Sequence, residues 1–167
     1  MKRENSMKSI LMMLPIGLVL AAVDGSATEV QVAGTSTTTI DIITSTAEDT
    51  LVSKTVFIPA TGSPWDCAVT ASADTLNPLN GDNNQYIFGL NVDASASTRA
   101  GSDRVIDYDS LGLNEETNRQ AVGSTYIFGS LSDNANHTFY WSARKFDPND
   151  ADMTVGSASM TIVCSDV

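Results

Sequence analysis

The stretch Trp65-Asp66-Cys67-Ala68-Val69-Thr70-Ala71-Ser72-Ala73-Asp74 alternates with a period of two. Trp65, Cys67, Val69, Ala71 and Ala73 share one side, and Asp66, Thr70, Ser72 and Asp74 share the other. Successive side chains of a strand point to opposite faces, so this pattern predicts a strand with one face in a core and one in water.

The same period extends in both directions. Ser157–Ser165 (SASMTIVCS) sets Ala158, Met160, Ile162 and Cys164 against Ser159, Thr161 and Ser165. His137–Lys145 (HTFYWSARK) sets Phe139, Trp141 and Ala143 against Thr138, Tyr140, Ser142 and Arg144. TTIDIITS carries Ile40 and Ile42 in one phase, and LVSKTVFIP carries Val52, Val56 and Ile58, with Lys54 as the exception. YIFG occurs twice, at 86–89 and 126–129, but the flanking residues differ. Both copies read as strands in comparable places, because aromatic and β-branched residues favour strands. They are not a repeat unit.

Turn-forming clusters separate these runs: ATGSP (60–64), NPLNGDNN (77–84), SASTRAGSD (95–103), LSDNAN (131–136) and DPNDAD (147–152). Only LNEETNRQ (113–120) has a helical look, with Asn114 as cap and acids in the first turn. The expected fold is all-β: a two-sheet antiparallel sandwich of jelly-roll type with about eight strands in one domain, 36–167.

The chain opens with a basic segment, an apolar run from Ile10 to Val23, and the small residues of DGSA. That order predicts a secretory signal peptide over 1–27, cut after Ala27 or alternatively after Ala22, with a run too short for a comfortable membrane span. Met7 begins a tidier signal than Met1. Residues 28–35 are expected to be a flexible mature N-terminus. The mature protein would be secreted or periplasmic and would keep no membrane span.

Cys67 and Cys164 are the only cysteines of the 167 residues. Export places them where disulfides persist. Both fall in the inward phase of their strands, as a bridge across or along the core requires. The whole chain has 9 Lys/Arg and 20 Asp/Glu, a net charge of −11. Removing the signal leaves a charge near −12, because it carries three of the bases and two of the acids. Such a surface disfavours nucleic acid and anionic membranes as partners.

Chemistry-bearing motifs are sparse. His137, the only histidine, opens a strand, and no G-x-S-x-G elbow accompanies it. Two cysteines and one histidine are too few for a zinc site. The pairs Asp107/Asp109 and Glu115/Glu116 have the residue types for acid–base glycoside chemistry, but pairs arise readily in so acidic a chain. Asp147, Asn149, Asp150 and Asp152 offer hard oxygen ligands for calcium in one loop, without the glycine and distal glutamate of a helix–loop–helix site. NGDNN (80–84) is a weaker instance, and Asn136-His137-Thr138 fits a glycosylation pattern. Tyr140 and Arg144 are the candidate binding surface, on the outward side of their strand.

The succession VFIPATGSPWDCAVTASAD, QYIFGLNVD and HTFYWSARK resembles small exported bacterial proteins of uncharacterised role. More distantly it is similar to jelly rolls of the tumour-necrosis-factor and complement-head type, which implies a trimer if the chain self-associates. Chaperone–usher pilins share the size, signal and single disulfide, but MTIVCSDV at 160–167 is not their donor strand. No functional residue carries over from these likenesses. The expected role is non-catalytic, by binding an extracellular ligand or copies of itself. A carbohydrate-active domain, as glycan-binding module or hydrolase, is the alternative.

Overall fold

The computed structural model describes residues 30–37, 41–76, 84–94, 102–108 and 119–167. Nine strands run through them: β1 (Val30–Thr37), β2 (Asp41–Ile43), β3 (Asp49–Ile58), β4 (Trp65–Leu76), β5 (Asn84–Val92), β6 (Arg104–Tyr108), β7 (Arg119–Leu131), β8 (Ala135–Lys145) and β9 (Met153–Asp166). The described residues contain no helix. The signal segment 1–27, residues 113–118 of the helix-like stretch, and residues 77–83 lie outside the described part.

The strands form two antiparallel sheets. Sheet A has the order β1-β9-β4-β7, with β2 continuing along β9 beyond β1; sheet B has the order β3-β8-β5-β6. The pairs β2–β9, β3–β8, β4–β7 and β5–β6 nest one inside the next. The chain therefore runs as one long antiparallel ribbon whose successive pairs fall alternately in sheet A and sheet B. The pairs β4–β9 and β5–β8 complete each sheet. The long strands β4, β8 and β9 each have one apolar face, and laying one sheet on the other buries these faces together.

Both inner faces mix large and small side chains. Sheet B contributes Tyr86, Phe88, Leu90, Phe139 and Trp141, all fully buried. Sheet A contributes Trp65, Met160 and Ile162 together with the small Ala71, Ala73 and Ala158. Phe88 and Trp141 lie 5.7 Å apart within sheet B. Phe128 of sheet A meets Phe139 of sheet B edge-on at 5.7 Å. Such edge contacts add about 0.5–1.5 kcal/mol each beyond burial.

Cys67 and Cys164 form the expected disulfide, at a sequence separation of 97. They are direct partners in the β4–β9 register with Cα atoms 4.0 Å apart. The bridge therefore staples two neighbouring strands of sheet A beneath the core and does not cross from sheet to sheet. Inward phase was necessary for either arrangement, and only strand adjacency distinguishes them.

The nine strands agree with the expectation of about eight. Two other expectations are corrected. Residues 30–35, expected to be flexible, belong to β1, which gains a full ladder by pairing with the edge of β9 from Ala158 to Ser165. The two YIFG copies do not occupy comparable places: β5 lies inside sheet B, whereas β7 ends the path of sheet A.

Bulges account for apolar residues that break the simple alternation. A register shift between Thr50 and Val52 lets both Leu51 and Val52 enter the core. Another, where Asp74 and Thr75 oppose Ser157 and Val155, leaves Gly156 as the extra residue and brings both Val155 and Ala158 inside. Lys54 keeps the inward phase of β3 and is only half-buried. β3 ends the path of sheet B, and an inward lysine on an edge strand discourages pairing with foreign strands.

Asp41 of β2 and Asp49 of β3 approach one another at one end of the sandwich. Burial, and then the Asp41 carboxylate, push the Asp49 carboxyl above its ordinary value. The sign follows directly: an ionised Asp49 is less comfortable folded than unfolded, so it opposes folding at any pH above its raised value. Acidification through the window between that value and the ordinary one near 3.9 relieves the opposition. Asp49→Asn is expected to raise the melting temperature at pH 7 and to lose that advantage at about pH 3. Melts of both proteins across the range check it; a variant less stable at pH 7 would mean that the carboxylate makes a favourable contact there.

Candidate interaction surface

The outward residues of sheet A fall into register across four strands. Val32, Val163, Ala68 and Ile127 form one row, Gly34, Thr161, Thr70 and Thr125 the next, and Ser36, Ser159, Ser72 and Gly123 the third. All twelve are exposed. In the first row Val32 is 68%, Val163 42% and Ile127 63% accessible, so this is an apolar stripe open to solvent. The second row presents hydroxyls and methyls, with Thr70 and Thr125 hydroxyls 3.2 Å apart. In the third, Ser72 and Ser159 hydroxyls are 2.9 Å apart. None of the twelve is charged or aromatic, on a chain of net charge −11. The charges begin at the borders, with Asp66 at one end of β4 and Asp74 at the other. A shallow depression of about 380 Å³ lies at the Asp74 end, lined by Ser36, Ser72, Ala121 and Ser157 among others.

The outer face of sheet B is different. Tyr140 and Arg144 do lie on it, both half-buried, but on either side of Ser142, which is fully covered. Tyr140 sits between Ser53 and Asn91, and Arg144 beside Ile87. Asn91 is 1% accessible and donates to Glu48 Oε2 at 3.2 Å. Gly89 lies under the Asp103 carboxylate, which would stand 2.7 Å from any Cβ added there. The two sequence-predicted binding residues are thus separate features of a partly covered face rather than the centre of an open platform.

His137 is buried on β8 with Asp93 Oδ2 2.7 Å from Nδ1 and the Ser132 hydroxyl 3.3 Å from Nε2. The three residue types are those of a hydrolytic triad. Nε2, however, lies 2.9 Å from the Ser132 carbonyl oxygen, which only accepts. The carbonyl lies nearer to Nε2 than the hydroxyl does, so the ring is not aligned on the hydroxyl as the base of a triad is. Asp93 is engaged further: its Oδ1 accepts from Thr138 N at 2.8 Å, and its own N donates to Thr138 O at 2.7 Å. These bonds hold Asp93 at a φ of 59° at the end of β5. The group clasps the β7–β8 turn to the end of β5.

The 147–152 turn is closed upon itself. Asp147 Oδ1 accepts from both nitrogens of Asn149 at 2.8 Å, and Asp150 Oδ2 accepts from Asp147 N at 2.8 Å. Asp152 pairs at 2.6 Å with Lys145, whose side chain is 6% accessible. Asn84 Oδ1 and the Tyr86 hydroxyl fix the turn through the Ala151 N and O, at 2.8 Å each. Among the described residues no three His, Cys, Asp or Glu side chains converge as a metal cage. Calcium titration is therefore expected to leave the melting temperature unchanged. A site would announce itself by about 2.7 kcal/mol of added stability at a hundredfold excess over Kd. Of the acid pairs, Asp107 lies exposed on β6, whereas Asp109, Glu115 and Glu116 lie outside the described residues.

No protein-family model matches the chain, and no curated protein is similar to it. The reading of function rests on the surface itself.

Four of the twelve members, Thr70, Ser72, Ser159 and Thr161, are outward in the alternation of their own strands, but the array is not legible there. Thr70 and Ser72 stand beside Thr161 and Ser159 only because β4 pairs with β9 in one particular register. An alternating strand shows which residues face water and is silent on which strand lies next to it. A usable signal existed: the outward residues of the two cysteine strands include no aromatic or basic side chain, whereas those of HTFYWSARK include Tyr140 and Arg144.

Proposed function

We propose that the protein is an exported, non-catalytic β-sandwich that works by contact, binding a ligand or copies of itself at or outside the cell surface. The observation that carries this reading is the flat, exposed, uncharged array on sheet A. An acidic chain gains solubility from charge everywhere it faces water, so an uncharged face three rows deep suits contact rather than solvation. The buried disulfide fits an oxidising compartment. No helix among the described residues is long and apolar enough to cross a membrane. The nesting of the strand pairs supports our reading of the fold as a jelly roll.

Paired substitutions on the two faces provide the test. Purified mature chain is assayed for retention on cell envelopes and extracellular polysaccharide, and for self-association. Thr70→Lys is expected to weaken whichever contact is found, and Tyr140→Ala to leave it intact. Turnover of model esters or glycosides that disappears in Ser132→Ala would replace contact by catalysis.

A further inference from the structure

We infer that the occupant of the sheet A face is a second copy of this chain, packed face to face about a two-fold axis running along the strands between β9 and β4. This rests on the contact reading above and names its partner. The four-strand path β1-β9-β4-β7 has its midline between β9 and β4. A two-fold axis there preserves the rows and exchanges the strands, so β1 meets β7 of the other copy and β9 meets β4.

The residues brought together fit. Val32 meets Ile127 and Val163 meets Ala68, so the apolar stripe covers its own image, large side chain against small in the second pair. Gly34 meets Thr125 and Ser36 meets Gly123, each side chain opposite a position that has none. Thr161 meets Thr70, and Ser159 meets Ser72. The borders fit as well. Asp66 and Asp74 both lie on β4, so each faces β9 of the other copy, opposite Ser165 and Ser157. Carboxylates thereby meet hydroxyls and not one another. An axis across the strands would instead lay the valine row on the serine row.

The size is sufficient for a reversible dimer. Counted with the border rows at Asp66 and Asp74, strand and residue spacings make the contact about 600 Å² a side, roughly 1,200 Å² in all. That is the lower bound of standard interfaces, which suits a micromolar association rather than an obligate one. The disulfide between Cys67 and Cys164 lies beneath the apolar end of the patch, between the Asp66 and Ala68 rungs, and ties its two middle strands together. The arrangement is two-fold, in contrast to the trimer implied by the distant jelly-roll resemblance.

Sedimentation of the mature chain is expected to show a concentration-dependent dimer. Thr161→Lys should weaken it about tenfold or more by burying a charge at the centre of the contact, with the melting temperature of the monomer unchanged. Thiol cross-linking then fixes the geometry. Gly34→Cys and Thr125→Cys sit on opposite edges of one sheet, about 14 Å apart within a chain, too far for a short linker or a direct bridge. Space is available at Gly34, where an added Cβ meets only the Met160 carbonyl at 3.7 Å. Each variant alone should stay uncross-linked, and a mixture of the two should give a covalent dimer with a short bis-maleimide. A chain that is monomeric at high concentration, or a dimer indifferent to Thr161→Lys, would overturn the inference. So would cross-linking of Thr125→Cys with itself, which would mean edge-to-edge pairing of β7. Any of these results leaves the broader contact reading to be decided by the ligand assays with Thr70→Lys.

Discussion

Replacing Cys67 and Cys164 together by Ala is expected to lower stability by about 4 kcal/mol, and the melting temperature by roughly 12–16 °C for a domain of this size. The bridge spans 97 residues and encloses every strand from β5 to β8 together with most of β4 and β9. Its removal releases a long-loop constraint on the unfolded chain, and the free energy of that constraint grows only slowly with length. The native sheet should survive, because Cys67 and Cys164 occupy one rung of a β4–β9 ladder that runs from Trp65 to Leu76. Urea unfolding of the double variant, with a far-ultraviolet spectrum to confirm the fold, measures both points. A loss below about 1 kcal/mol would show that the unfolded chain is already compact enough for the bridge to constrain little.

Trp141→Ala is expected to cost about 3–5 kcal/mol, because a fully buried indole leaves a cavity between the sheets that the Phe88 contact alone cannot close. Trp141→Phe is expected to cost much less. The Trp141 Nε1 has no hydrogen-bond partner among the described residues, so losing it also removes a buried donor left unsatisfied. Trp65 provides the contrast. It is equally buried, but its Nε1 donates to Thr61 Oγ1 at 3.0 Å, and Trp65→Phe would leave that bond unmade. Denaturant unfolding of the two Phe variants should therefore rank Trp65→Phe as the more damaging. The opposite order would mean that the Trp141 N–H interacts favourably with its surroundings, for instance with an aromatic face.

The proposed dimer and these core predictions meet at one element. β4 carries Trp65 and Cys67 into the core and Thr70 and Ser72 onto the open face. A strand so constrained on one side presents a rigid array on the other, and rigidity lowers the entropy that association must overcome. Loss of the disulfide is accordingly expected to weaken self-association as well as stability.

Alternation along WDCAVTASAD, HTFYWSARK and SASMTIVCS was sufficient by itself to establish strands, their inward and outward sides, and the inward phase of both cysteines. These are properties of consecutive residues, because side-chain direction in a strand repeats every two positions whatever lies beside it. Partnership is not such a property. Whether Cys67 and Cys164 bridge two sheets or two neighbours in one, whether β1 forms at all, and which Thr stands beside which Ser depend on ladders between residues up to 130 or so apart in the chain. Bulges at Leu51 and Gly156 then reverse the phase locally for the sake of core packing, which no local pattern announces. The clasp of His137 by Asp93 and the array on sheet A are likewise products of register. Tertiary packing chose them, because only the simultaneous burial of both inner faces distinguishes one register from the next.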